Sequence, residues 1–413
     1  MSRRVKKCRA PFWHVRLPLL GLAVGVVLWV LVVARSAEGY AWMIRHGYNN
    51  CGSCHTDPSG GGLLTEYGRA QSDLLLRTHY SNSADGDFQE PHPSYKFLAG
   101  AVELPEGLVL GGAYRGIWLR TKAAGREDSR YIPMQADLQG QVTVGKLVVN
   151  GSVGYAHEGA LPAAVTHGDA RNIVSRTHWV GYRLGEDENW LLRGGRMNLP
   201  FGVRGVEHTL WARRETRTDT NSAQQHGLAV AYQGEAIRAE LMGIAGNFQV
   251  NPDRFRERGT SAFLEWIATP ELAVGASSLL TAVEADVITS QKGWRGAHGA
   301  FARTKLLEPL VILGEVDLLL NKATDGPDTD LKFGHVAMLQ VDVEPLQGIH
   351  LITTAETLNQ GQGLGTSVGG WLSVAWFFMP HADLRLDFIE QSVATRGDPV
   401  AVRTILAQFH GSL

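Results

Sequence analysis

From about Ser94 to Leu413 apolar and polar residues alternate with a period of two, in segments of roughly ten residues separated by turns. Between Ala382 and Ile389, Leu384, Leu386 and Phe388 point one way and Asp383, Arg385 and Asp387 the other. Ile237, Ala239 and Leu241 alternate with Arg238 and Glu240, and Val316 and Leu318 with Glu315 and Asp317. This period belongs to strands with two unlike faces. It admits a soluble sandwich, apolar faces inward, or a membrane-spanning barrel, apolar faces outward.

Three features favour the barrel. Aromatic residues gather near strand ends, at Tyr114 and Trp118, at Trp179 and Tyr182, and at Trp371, Trp376, Phe377 and Phe378, as in interfacial girdles. No cysteine interrupts the segment. A last strand over 400–413 has Ile405, Ala407, Phe409, Gly411 and Leu413 toward lipid and Gln408, His410 and Ser412 inward. That strand is similar to the assembly signal of outer-membrane barrels, with Leu413 where an aromatic residue is usual. Strands are expected near 107–120, 128–140, 145–158, 172–184, 189–199, 225–235, 236–247, 259–268, 271–283, 293–304, 308–321, 331–343, 347–359, 367–379, 382–393 and 400–413. The pattern thus predicts an all-β, antiparallel transmembrane barrel over 94–413, of about 16 strands, wide enough for an aqueous lumen or a plug. Glu207 to Gln225 reads as a long loop, with an ordinary surface loop favoured over one that folds into the pore.

Residues 1–36 differ from the rest. They carry Arg3, Arg4, Lys6, Lys7, Arg9, Arg16 and Arg35 and no acid, around an apolar run from Leu17 to Ala34. This is the composition of a secretory signal peptide, and the run is also long enough to stay as a membrane anchor. Without those seven cations, 32 of the 39 basic residues face 41 acids, a charge of about −9. So acidic a chain excludes nucleic acid as a partner, because binding phosphate requires a cationic surface.

Of three cysteines, Cys8 lies in the leader, and Cys51 and Cys54 share one pentapeptide, Cys51-Gly52-Ser53-Cys54-His55. This is the C-x-x-C-H pattern of covalent c-type haem attachment. Two thiols at this spacing form thioethers with the porphyrin's vinyl groups, and His55 becomes the proximal iron ligand. A zinc site needs a second close ligand pair, and a redox dithiol a βαβ setting; neither is visible nearby. A turn-rich loop, Thr56 to Gly62, follows, and then apolar spacing predicts a helix from Leu63 to Arg77, either covering a haem face or packing on protein. His79 is the favoured distal ligand, one helix beyond the motif; His92, His46 and Met43 are the alternatives. Residues 37–93 are too few to bury a haem alone, so this segment must take its shelter from the barrel.

A leader, one C-x-x-C-H, a short helix carrying Tyr67-Gly68-Arg69 and then a barrel: in this order the chain resembles the fused outer-membrane cytochrome-porins, whose best-known members oxidise ferrous iron. The specific likeness lies in Cys51 to Arg69; the Gly60–Gly62 loop departs from the iron-oxidising members. The resemblance implies a monohaem plug in the pore and electron transfer between an extracellular donor or acceptor and a periplasmic cytochrome or similar carrier. Two other readings are a passive porin with a structural plug or redox gate, and a periplasmic sandwich held by an uncleaved anchor.

Overall fold

A computed structural model of the protein describes residues 41–48, 50–78, 96–155, 173–203, 209–220, 222–379 and 382–412. The leader, with its Leu17 to Ala34 run, and His79 and His92 lie outside the described residues.

The strands are β1 (Leu108–Ala123), β2 (Arg126–Val144), β3 (Leu147–Tyr155), β4 in two pieces (Ile173–Val174 and His178–Leu184), β5 (Trp190–Met197), β6 (Gln225–Gln233), β7 (Ile237–Gly246) and β8 (Arg258–Thr269). The circuit continues with β9 (Leu272–Val283), β10 (Gly293–Leu307), β11 (Leu310–Ala323), β12 (Lys332–Leu346), β13 (Ile349–Asn359), β14 (Ser367–Met379), β15 (Ala382–Val393) and β16 (Val400–Ser412). Both pieces of β4 pair with β3, so the wall has 16 positions. Each strand runs antiparallel to the next, and β1 pairs with β16 from Ala113↔Ser412 to Ala123↔Val402, closing the barrel. The count agrees with the period-two pattern, and the segment boundaries fall within four residues of it.

Burial is inverted relative to a soluble protein, which rules out the sandwich. In β15, Leu384, Leu386 and Phe388 are 42, 53 and 43% exposed, while Arg385 and Asp387 are only 8 and 4% exposed. Ile237 and Leu241 lie outside and Arg238 and Glu240 inside, and Val316 and Leu318 outside with Glu315 and Asp317 inside. An apolar outer belt over a charged interior is stable only with lipid around it.

The two ends differ. At one, connections are as short as Gly145-Lys146, Glu308-Pro309 and Gln347-Gly348, and β1 begins and β16 ends there. At the other, the connections include 198–224, 247–257 and 284–292. Short turns mark the periplasmic end of bacterial barrels and long loops the extracellular end.

Two expectations need correction. Trp179 and Trp371 do not join a girdle but are buried in the lumen, because each has a polar partner there. The Arg193 guanidinium lies over the Trp179 ring, 5.4 Å from its centroid, and Trp371 Nε1 donates to Glu356 at 2.9 Å. Phe377 also turns inward, its ring against buried His350, while Tyr114, Trp118, Tyr182 and Trp376 do face outward. The connection after β5 is not a surface loop: it folds back into the barrel. Leu199, Phe201, Leu210 and Trp211 are buried in the main apolar cluster, and a short helix (Trp211–Thr216) sits against β11 and β12. The wall supplies its polar partners: Val203 N donates to Glu315 at 2.7 Å, Trp211 N to Glu356 at 2.8 Å, and Arg213 pairs with Glu315.

The lipid face sets the first prediction. Leu386→Arg puts a charge on the outer belt and is expected to destabilise the barrel by about 2–4 kcal/mol. Asp387→Asn, one residue away on the lumen face, is expected to leave outer-belt energetics unchanged. Urea titration of both variants in phospholipid, followed by heat-modifiable gel migration, checks the contrast.

Candidate functional site

Cys51–Cys54 form a single helical turn, α1, capped by Asn50, whose Oδ1 accepts from Gly52 N at 2.9 Å. His55 N donates to Cys51 O at 2.9 Å, so both thiols and the imidazole leave one compact turn. The chain then loops out and returns: Thr56 N donates to Leu63 O and Thr65 N to Cys54 O, both at 2.9 Å, with His55 bridged to Leu64. Gly60, Gly61 and Gly62 make this reversal with φ of 84, 81 and 68°, a left-handed run that only glycine adopts without strain.

The helix after the loop, α2, spans Glu66–Leu75, shorter than the expected Leu63 to Arg77, because Leu63 and Leu64 are used in the return. Thr65 caps it, accepting from Gly68 N at 3.0 Å. Its buried residues are Gly68, Arg69 and Asp73, so the leucine spacing did not identify its inner face. Gly68 lies directly on the haem-motif turn: a Cβ there would stand 2.2 Å from Cys54 O and 2.8 Å from Cys54 Cα. Arg69 donates to Leu110 O of β1. The Tyr67-Gly68-Arg69 step thus has a local cause: glycine for close approach and arginine to tie the helix to the wall.

The wall holds this segment from several sides, all in the periplasmic half. Arg45 pairs with Glu344 at 3.2 Å and donates to Pro309 O at 3.2 Å, and Ile44 enters the main apolar cluster. Gln347 Nε2 donates to Leu74 O at 2.7 Å and Thr78 N to Phe377 O at 2.9 Å. Arg193 is fully buried between Asp57, at 3.0 Å, and Glu240 of β7. Arg238 Nη2 lies 3.3 Å from Cys51 Sγ while its Nη1 pairs with Glu265 at 2.7 Å. Asp57 read only as a turn residue in sequence, and nothing local marked it as the partner of Arg193.

Cys51, Cys54 and His55 line one cavity of about 380 Å³, within the range of small-molecule and cofactor sites. Its boundary runs from Phe377, Met379 and Ser412 at the periplasmic end to Thr177 of the wall and Thr220 of the inward loop. Both cysteines are free thiols, and burial pushes the Cys54 thiol up. Burial pushes the His55 imidazole down, so the ring stands neutral with a lone pair, and its Nδ1 is buried with no hydrogen-bond partner. Two thiols one turn apart, with an adjoining neutral imidazole facing the same cavity, fit the donor set of covalent haem attachment.

Among the described residues no group of three or more His, Cys, Asp or Glu side chains converges on a metal position. Of the distal candidates, Met43 lines the cavity, the His46 side chain is outside the described residues, and so are His79 and His92.

No family model and no curated protein matches the sequence. Solved structures do. The outer membrane channel DcaP of Acinetobacter baumannii aligns with a TM-score of 0.56 at 12% identity, over 76% of this chain and 99% of that one. The likeness is one of fold. Outer-membrane OmpT of Vibrio cholerae aligns at 0.55 and 12% identity, over 75% and 99% of the two chains, and an anion-selective porin from Comamonas acidovorans at 0.54 and 11%, over 74% and 99%. The chain is therefore a porin-like barrel.

Two variants test how the inner segment is held. Gly68→Ala drives a methyl into the Cys54 backbone and is expected to cost about 1–3 kcal/mol of local packing. The readout is faster protease cleavage between residues 56 and 78 in an otherwise intact barrel. Arg193→Met leaves two buried carboxylates without their shared cation, a loss of about 3–5 kcal/mol. Adding Asp57→Asn and Glu240→Gln to Arg193→Met is expected to recover most of that loss in urea titrations.

Proposed function

We propose that this barrel lies in the bacterial outer membrane and carries one c-type haem on Cys51 and Cys54, with His55 as proximal ligand, in a plug formed by the segment around them. Through that haem it passes single electrons between an extracellular donor or acceptor and a periplasmic cytochrome or similar carrier. The observation that supports this most is the shared cavity: the thiols and the imidazole face one lumen space bordered by the wall and by the inward loop.

Bound to Cys51, Cys54 and His55, a haem would supply a one-electron ferric/ferrous couple. The chain's own residues do the rest. Gly68 lets α2 lie against the attachment turn and hold it in place. Phe263 and Phe301, their rings stacked 5.3 Å apart, and Leu76 give the cavity apolar cover. The Arg238–Glu265–Arg303 cluster places a fixed charge pattern beside Cys51. Ferrous iron is one candidate donor, suggested by the cytochrome-porin resemblance. The sixth iron position falls to His79 on sequence grounds or to Met43 on its place in the cavity.

A second reading is a passive porin with residues 41–78 as a structural plug. The neighbours favour it, since one of them is described as an anion-selective porin and another as a channel.

The deciding experiment uses purified protein from cells competent in cytochrome c maturation, placed in proteoliposomes with an enclosed periplasmic-type cytochrome. Wild type is expected to stain for covalent haem and to reduce the enclosed carrier when ferrous iron or another reductant is added outside. Cys51→Ala/Cys54→Ala should do neither. A wild-type chain with no covalent haem, or a steady ion conductance with no electron transfer, leaves the passive porin standing instead. In the haem-loaded protein, either His79→Leu or Met43→Leu should convert a low-spin optical spectrum to high-spin, which assigns the distal ligand.

A further inference from the structure

Across the wall where the barrel closes, one row of inward-facing residues runs His410, Arg115, Gln135 in direct register over β16, β1 and β2. All three line the cavity that holds Cys51, Cys54 and His55. The charges beside Arg115 are already matched. Asp383 holds His410 at 2.8 Å. Asp137 takes Arg176 at 2.7 Å on one oxygen and Gln135 Nε2 at 2.6 Å on the other. Arg115 makes no hydrogen bond or close ion pair with a described residue, the carboxylate that attracts it, Asp137, is already shared with Arg176, and its Nε is buried with no hydrogen-bond partner. A guanidinium in such a place faces a desolvation cost that an anionic ligand offsets. The backbone next to it, Gly111-Gly112-Ala113, also lines the cavity and has almost no side-chain bulk, so a flat group can reach the wall.

We propose that Arg115 is a carboxylate-binding cation of the lumen. Its planar fork matches a carboxylate with two parallel hydrogen bonds, which a point-charge ammonium does not. The assignment of its occupant rests on the function proposed above: with haem attached through Cys51 and Cys54, the carboxylate is a haem propionate. Without haem, the same guanidinium meets small carboxylate solutes in the passage. Arg115 is then a positioning residue for the porphyrin and not a ligand of its iron.

The test has two arms, with heat-modifiable migration as the folding control for each variant. In the haem-loaded full-length protein, Arg115→Gln is compared with wild type and Arg115→Lys by resonance Raman and by redox titration. A bound propionate predicts a shifted propionate-bending mode in both variants. It also predicts a lower midpoint in Arg115→Gln, because loss of the cation disfavours the ferrous state, and a smaller fall in Arg115→Lys. In the haem-free Cys51→Ala/Cys54→Ala barrel, planar-bilayer reversal potentials in a potassium acetate gradient report the preference for acetate over potassium with and without Arg115→Gln.

An unchanged Raman mode and midpoint, with acetate preference lost in the haem-free arm, keeps the carboxylate site but overturns its assignment to propionate. No change in either arm overturns the proposal. If wild type carries no covalent haem, the electron-transfer reading fails by itself, and the bilayer arm alone decides Arg115.

Discussion

Charge carried into a lipid-enclosed lumen has to be matched inside that lumen, since an unpaired ion there faces several kcal/mol of lost hydration. In this barrel the wall supplies part of the matching and the inserted segments supply the rest. Arg193 of β5 is neutralised by Glu240 of the wall and by Asp57 of the haem-motif loop. Glu344 of β12 takes Arg45 from the start of the inner segment, and Glu315 of β11 takes Arg213 from the inward loop. Such pairs add little net stability against an apolar alternative, but they are demanding about position. They fix where the inserts sit, so wall and inserts form one electrostatic unit.

The wall was legible in sequence because alternation is local: each strand states its two faces without reference to its neighbours. The segments near 367–379 and 382–393 coincide with β14 and β15. Alternation does not say which connection turns back into the lumen. The loop after β5 read as polar surface because Arg213, Arg214 and Arg217 dominate its look, yet Leu199, Phe201, Leu210 and Trp211 form an apolar set that an exposed loop has no reason to carry. Likewise the inward Trp179 and Trp371 were masked by the general preference of tryptophan for interfaces; only their partners Arg193 and Glu356 explain them. At the candidate site, the meeting of Cys51, Cys54 and His55 on one turn was legible because their spacing is local. Gly68 and Asp57 were not, since their roles exist only across contacts distant in sequence.

The two inserts enter from opposite ends and leave the lumen unequally filled. The inward loop packs on β11 and β12, and the haem-motif segment is tied to turns around the periplasmic mouth. The remaining space borders β1, β2 and the closing strand, where Gly111, Gly112 and Gln139 lie beside Arg115 and His410, and it reaches Phe263 and Phe301. Lumen substitutions differ accordingly: those near Glu315 disturb packing, and those near Gln139 change the lining of the open space.

The pairing of β1 with β16 joins the first strand to the last. Contacts between residues so far apart along a chain form late and slowly, because the loop they close is nearly the whole barrel. The wall has no complete circumference until Val400–Ser412 have been made and have found β1. Cys51, Cys54 and His55 leave the ribosome well ahead of that event. The container is finished after its contents, and chemistry that reaches those thiols from outside meets them on an open chain, not through a closed pore.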